Sequence, residues 1–142
     1  MKRAGTVYVA SILVLTCVSA TSYQGCEWSG LWRTDYGEII FQQYDKSVNG
    51  SYTYWGEVGE INGTTLRNHL IGNWTQTDSS GTLEFTITDD CDSFVGFWRY
   101  GNSGDWEGSW NGTRISLQQL IQEEEELQNM LDKIDQSIQE EM

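Results

Sequence analysis

One short phrase recurs between Gly30 and Thr113, and it limits what this chain can become. A glycine is followed two residues later by an aromatic at Gly30/Trp32, Gly50/Tyr52, Gly72/Trp74, Gly96/Trp98 and Gly108/Trp110. Two residues is the side-chain repeat of a β-strand, so each pair shares one face. The missing side chain leaves a gap in that face, and an aromatic from a neighbouring strand can lie over it. Repeated strand after strand, the phrase predicts one tightly curved antiparallel sheet with an aromatic-lined side.

Turn-forming residues divide the region into eight expected strands, at about 29–34, 37–43, 47–55, 57–62, 64–76, 81–88, 93–100 and 105–114. Asn62-Gly63 is the best tight-hairpin signal, because both residues tolerate positive φ. Proline is absent from the chain, so nothing interrupts a ladder on that account. Period-2 alternation places Trp32, Ile39, Phe41, Val48, Tyr52, Tyr54, Ile61, Leu66, Leu70, Trp74, Leu83, Phe85, Ile87, Phe94, Trp98, Tyr100, Trp106 and Trp110 on one face. A single sheet with one apolar face buries that face without a partner by curling into a barrel, which also removes its open edges. The expected fold is therefore all-β: an antiparallel up-and-down (meander) β-barrel of about eight strands over residues 29–114.

Residues 115–142 follow a different code. Ser116 and Gln119 form a capping-box pattern. Leu117, Leu120, Glu124, Leu127, Leu131, Ile134 and Ile138 then alternate in steps of three and four, a coiled-coil seam interrupted by one glutamate. An amphipathic C-terminal α-helix is expected, with two candidate partners for its seam. One is further copies of itself, with a trimer preferred because Ile134 falls at a d position. The other is its own barrel, through the outward-pointing Leu31, Ile40, Ile71, Val95 and Phe97.

The start of the chain reads as an export signal. Lys2 and Arg3 precede an apolar run from Val7 to Val18, and Val18-Ser19-Ala20 suits cleavage by a signal peptidase, giving a signal peptide at 1–20 and a lead at 21–28. Cleavage there removes Lys2 and Arg3 and takes the formal charge from −13 to −15. So acidic a chain repels phosphate backbones and anionic lipid, which argues against nucleic acid as a partner. No membrane insertion is expected of the later segments. The mature chain keeps Cys26 and Cys91. Outside the cell they are expected to form one disulfide. In a meander both fall at the same end of the barrel, Cys26 before the first strand and Cys91 between the sixth and seventh. Four N-x-Ser/Thr sequons, at Asn49, Asn62, Asn73 and Asn111, are candidate N-glycosylation sites. Three of them, Asn49, Asn73 and Asn111, fall on the polar face together with their hydroxyl residues.

Catalytic chemistry finds no support in the pattern. His69 is the only histidine and lies on the polar face. The strand carboxylates mostly face outward, without the facing pair that glycoside hydrolysis needs. Asp89, Asp90 and Asp92 lack the ligand spacing of a known calcium loop. No catalytic residue, metal site or cofactor is expected. The functional hint is the aromatics, because tryptophan and tyrosine combine flat apolar area with a polar tip. Tyr52, Trp74, Trp98 and Trp110 are the candidate lining of a ligand cavity, while Trp28 and Trp55, outside the inward set, are candidates for an exposed contact with a sugar or a partner.

The phrases Gly30-Leu31-Trp32-Arg33-Thr34-Asp35-Tyr36-Gly37, Asn49-Gly50-Ser51-Tyr52, Ile71-Gly72-Asn73-Trp74, Val95-Gly96-Phe97-Trp98 and Trp110-Asn111-Gly112-Thr113-Arg114 together resemble a widespread family of secreted lipocalin-like β-domains, whose members repeat G-x-W/Y and close on G-T-R. The opening also resembles the avidin family, through Gly30, Trp32, Asp35, Gly37, Gly50 and Tyr52. That second resemblance implies a tyrosine at Tyr52 and polar side chains near the first turn gripping a ureido group; Thr34 and Glu38 stand where that family has an asparagine and a serine. The expected function is a secreted, extracellular, non-enzymatic binding or structural module for a glycan, matrix or protein ligand, multimerised by its C-terminal helix. The alternative is a carrier of a small apolar ligand in the lipocalin or avidin manner. An acidic component of an extracellular or mineralised matrix ranks below both.

Overall fold

The computed structural model describes residues 25–142, so the expected signal peptide at 1–20 and the first part of the lead lie outside the described residues. The strands are β1 (Gly30–Thr34), β2 (Gly37–Tyr44), β3 (Ser47–Tyr54), β4 (Glu57–Leu66), β5 (His69–Thr75), β6 (Ser80–Ile87), β7 (Ser93–Tyr100), β8 (Gly108–Ser109) and β9 (Gly112–Ile115), and helix α1 spans Leu117–Glu141. From β1 to β7 each strand pairs antiparallel with the next. Strand β9 then enters between β7 and β1 and closes an eight-stranded meander barrel, with β8 as a short extra strand on β7.

Glycines opposite rings set the curvature. In register, Phe41 faces Gly50, Tyr52 faces Gly59, Phe85 faces Gly96 and Phe94 faces Gly112. A methyl at Gly59 would stand 2.1 Å from the Tyr52 ring, at Gly96 2.3 Å from Phe85, and at Gly112 2.4 Å from Phe94. Each ring therefore lies across its neighbour's backbone, and the sheet rolls tightly around a core of Trp32, Ile39, Phe41, Ile61, Leu70, Leu83, Phe85 and Phe94.

Two turns differ from the expected ones. Asn62-Gly63 does not turn: it lies inside β4, where Asn62 pairs with Asn49 on one side and Asn73 on the other. Gly63 serves close approach instead. It opposes Gly72, and a methyl there would stand 2.8 Å from Leu70 Cδ1. The reversal falls at Arg67-Asn68, with Arg67 at φ 56°. Moving the turn changes the parity at the end of β4, so Thr65 is buried and Leu66 is exposed rather than inward. The expected last strand is likewise broken. Residues 101–107 form a loop held by Arg99, which donates to the carbonyls of Asn102 and Gly104 at 3.2 and 2.9 Å. Trp106 sits in that loop on the outer surface, beneath the Arg99 guanidinium and beside Phe97. Tyr100 is also exposed, at 54 %, and stands on the rim rather than in the core.

The base of the barrel is plugged by the lead. Trp28 is fully buried against Trp32, Phe41, Phe85 and Phe94, so it is no exposed sugar or partner contact. Its indole N–H donates to Thr65 Oγ1 at 3.0 Å and its carbonyl accepts from Trp32 Nε1 at 2.9 Å. The physical reason is that the lead crosses the end of the barrel, bonded to Asn68 in the β4–β5 turn, to Cys91 in the β6–β7 turn and to Gln43 of β2, and strand alternation says nothing about such a segment. Cys26 is bonded to Cys91 in the β6–β7 turn, at that same end. Arg114 completes the fastening. Its guanidinium lies 4.3 Å from the Trp32 ring centre and donates to the carbonyls of Cys91, Ser29 and Glu27.

Helix α1 begins with the expected capping box at Ser116 and Gln119. None of its residues is buried, so docking of the seam on its own barrel is not what the chain does. Its tie to the barrel is an exposed ion pair, Arg33 to Glu123 at 3.2 Å. Leu127, Leu131, Ile134 and Ile138 all face solvent.

Candidate functional site

Strands β1, β3, β5 and β7 all run away from the base, and each ends in aromatics at the opposite, open end. Tyr36 follows β1, Tyr52 and Tyr54 close β3, Trp74 ends β5 with Gln76 just beyond, Trp98 and Tyr100 close β7, and Trp110 fills the break between β8 and β9. These eight side chains line a cavity of about 180 Å³. Sequence alternation brings Tyr52, Trp74, Trp98 and Trp110 into it as expected. Tyr54 and Tyr100 were legible as inward-phase residues near strand ends. Tyr36 carried no signal, because it belongs to a turn, and Gln76, in the inward phase at the end of the expected strand 64–76, is polar and falls outside the aromatic set.

The rings stand on edge to one another. Interplanar angles are 86° for Trp74–Trp98, 88° for Trp98–Tyr100, 86° for Tyr36–Trp98, 75° for Tyr36–Trp110 and 80° for Tyr52–Trp110, with centroids 5.1–5.9 Å apart. Edge-to-face packing of this kind suits the ring quadrupole and fixes each ring's orientation. The polar tips are used to fix the walls. Trp74 Nε1 donates to the Arg99 carbonyl at 3.2 Å, Trp98 Nε1 to Tyr36 Oη at 3.0 Å, and Trp110 Nε1 to Thr34 Oγ1 at 3.0 Å. Gln76 Nε2 donates to Tyr52 Oη at 3.1 Å. Burial pushes the Tyr52 hydroxyl's pKa above the ordinary tyrosine value, partly opposed by that Gln76 bond. Among the described residues, every buried side-chain nitrogen and oxygen has a partner.

No acidic or basic side chain lines the cavity. Glu38 lies on the outer face and pairs with Arg33 at 3.4 Å. The Thr34 hydroxyl is committed to Gly37, Tyr36 and Trp110. Trp55 is 89 % exposed, in the β3–β4 turn beside the mouth, with its ring edge-on to Tyr54. The sequon asparagines Asn49, Asn62, Asn73 and Asn111 are all exposed. His69 bonds Thr86 Oγ1 at 3.0 Å and approaches Glu84 at 4.0 Å, an outward strand pair. Among the described residues, no group of three histidine, cysteine or acidic side chains is placed to hold a metal, and no helix is long and apolar enough to cross a membrane.

No family model, curated protein or solved structure matches this chain. Its function is therefore argued from the site. A rigid, uncharged, aromatic-walled cup can hold an apolar or flat-faced group and align it through tyrosine hydroxyls and one amide.

Proposed function

We propose that the chain is a secreted, non-enzymatic binding module whose ligand site is the aromatic mouth. The observation that carries this reading is the convergence of Tyr36, Tyr52, Tyr54, Trp74, Trp98, Tyr100 and Trp110 on one open cavity, at the end opposite the disulfide. The base is plugged by Trp28 and fastened by Cys26–Cys91 and Arg114. The mouth is left open and walled by side chains whose orientations are already fixed, so binding orders little that is not ordered. Such a site takes a small ligand, or the terminal group of a larger one. The disulfide and the exposed sequons support an extracellular setting. The repeated glycine–aromatic phrase and the barrel it produces are consistent with the lipocalin-like resemblance.

Self-association through α1 is part of the same proposal. A seam of exposed leucine and isoleucine on a capped helix that its own barrel leaves bare is completed by the same seam on other copies. Several mouths on one assembly gain avidity against a repetitive target. Intrinsic tryptophan fluorescence tests the site, because three tryptophans line it. Titration with hydrophobic and glycan probes is expected to shift emission, with the shift lost in Trp98→Leu and kept in Trp55→Ala. Silence across all probes would remove the reading. Analytical ultracentrifugation of the mature chain tests the assembly, and a monomer at all concentrations would remove that part alone.

A further inference from the structure

The walls of the mouth restrict which chemistry it recognises. This inference rests on the small-ligand reading above and sharpens it. An anion or a carboxylate needs N–H donors or a basic residue in the cavity, and all three indole N–H groups are already committed to Arg99, Tyr36 and Thr34 acceptors. Arg99, the nearest arginine in sequence to the rim, is turned outward. Its Nε donates to Thr82, its other nitrogens hold the 101–104 loop, and its guanidinium covers Trp106. What remains is π surface, with neutral tyrosine hydroxyls and the Gln76 amide, whose Nε2 already donates to Tyr52 Oη. Aromatic rings wall the cavity on several sides, and a ring face turned to the opening attracts a cation too weakly hydrated to prefer water.

The surroundings carry the matching charge. The mouth end holds Asp35, Asp78, Asp105 and Glu107 in its turns and loops and Glu57 at the start of β4, all exposed, in a chain of strongly negative net charge. Carboxylates around an opening with low-dielectric walls draw cations toward it, whereas none of them lies inside the cavity to bind a small hydrated ion. An ammonium with free N–H bonds would lose its water for few acceptors, while a fully alkylated one has no N–H bond to satisfy. A cavity of about 180 Å³ has room for one such head. From these features together we propose that the mouth is an aromatic cage for a quaternary ammonium group.

The test is isothermal titration of the mature chain at low salt. Choline chloride is compared with 3,3-dimethylbutan-1-ol, in which carbon replaces the nitrogen and the shape is kept. Choline is expected to bind at least roughly tenfold more tightly than the alcohol. Tyr100→Leu, at an exposed rim position that keeps apolar bulk, is expected to weaken choline about threefold or more and by more than it weakens the alcohol. Phosphatidylcholine vesicles in a co-sedimentation arm separate a lipid headgroup from a free small molecule as the source, and choline binding with or without vesicle binding supports the cage. Equal affinity for choline and the alcohol overturns the cage while leaving a small apolar site. An unchanged choline affinity in Tyr100→Leu also overturns it. No binding of either compound, with hydrophobic probes still shifting tryptophan emission, overturns the cage alone. If those probes are silent as well, the ligand site itself falls.

Discussion

Gly96→Ala separates two explanations of the glycine–aromatic phrase by the sign of its effect. Gly96 lies in regular strand, so a backbone account predicts that alanine stabilises by about 0.4–1 kcal/mol through the unfolded state. A packing account predicts the reverse. A methyl at Gly96 stands 2.3 Å from Phe85 Cδ1 and 2.6 Å from the Glu84 carbonyl oxygen. Carbon atoms prefer about 3.5–4.0 Å, so the overlap with the ring exceeds about 1 Å. Phe85 has nowhere to withdraw. It is fully buried, stacked on Phe94 at 4.5 Å, with its other flank against Trp28 and Trp110. Overpacking costs about 1–3 kcal/mol, and an overlap this large, against backbone as well as ring, belongs in the upper half of that range, which leaves a net loss of about 1–2.6 kcal/mol after the backbone gain. For a domain of this size that lowers Tm by roughly 5–15 °C. Thermal and urea unfolding followed by far-ultraviolet circular dichroism would measure it. The double variant Phe85→Leu/Gly96→Ala should lose less than the sum of the two single losses, because the smaller side chain makes room for the methyl. A Gly96→Ala protein as stable as the parent, or more so, would refute the packing account of the barrel's curvature.

Thr65→Val leaves the buried Trp28 N–H without its acceptor and should cost about 1–3 kcal/mol in urea unfolding. Burial raises the Tyr52 pKa in the folded state, so its contribution is intact below the unfolded tyrosine value of about 10 and is lost as pH rises from there through the folded value. Tyr52→Phe should therefore flatten the alkaline fall in Tm, and identical alkaline limbs in the two proteins would contradict this. Replacing Cys26 and Cys91 with serine opens a bridge between residues 65 apart in sequence and should cost about 4 kcal/mol on the chain-entropy estimate, read as a lower urea midpoint. Deleting residues 116–142 removes no buried side chain, so barrel Tm should stay within about 2 °C while sedimentation shifts to monomer.

The core was readable wherever strand alternation ran without interruption. Ile39, Phe41, Val48, Ile61, Leu70, Leu83, Phe85 and Phe94 are where a period of two places them. The pairing of Cys26 with Cys91 followed from counting strands, and survived a misplaced turn because the number of reversals was unchanged. What failed was decided by tertiary contact. Asn62-Gly63 has the local chemistry of a hairpin, yet Gly63 is needed opposite Gly72 under Leu70, and the ten-residue β4 outweighs the turn preference. Trp28 precedes the first strand and so had no phase to read; its place as a plug depends on Thr65, Gln43 and the rings of Phe41, Phe85 and Phe94 further along the chain, as well as on nearby Trp32. In the mouth, the strand-borne tryptophans were legible, Gln76 shared their phase but not their chemistry, and Tyr36 became a lining residue only once its turn was folded over the opening.

The alignment of Asn49, Asn62 and Asn73 across three adjacent strands has a consequence for any host that attaches sugars at asparagine. Neighbouring strands lie about 4.8 Å apart, so the three acceptor nitrogens stand shoulder to shoulder in a row narrower than the trees they would carry. The first oligosaccharide transferred would shade the two beside it, whereas Asn111, just before the closing strand β9 and separated from β3 by β2 and β1, is outside that shadow. Intact-mass spectra of the exported chain would then step by whole glycans and stop short of four.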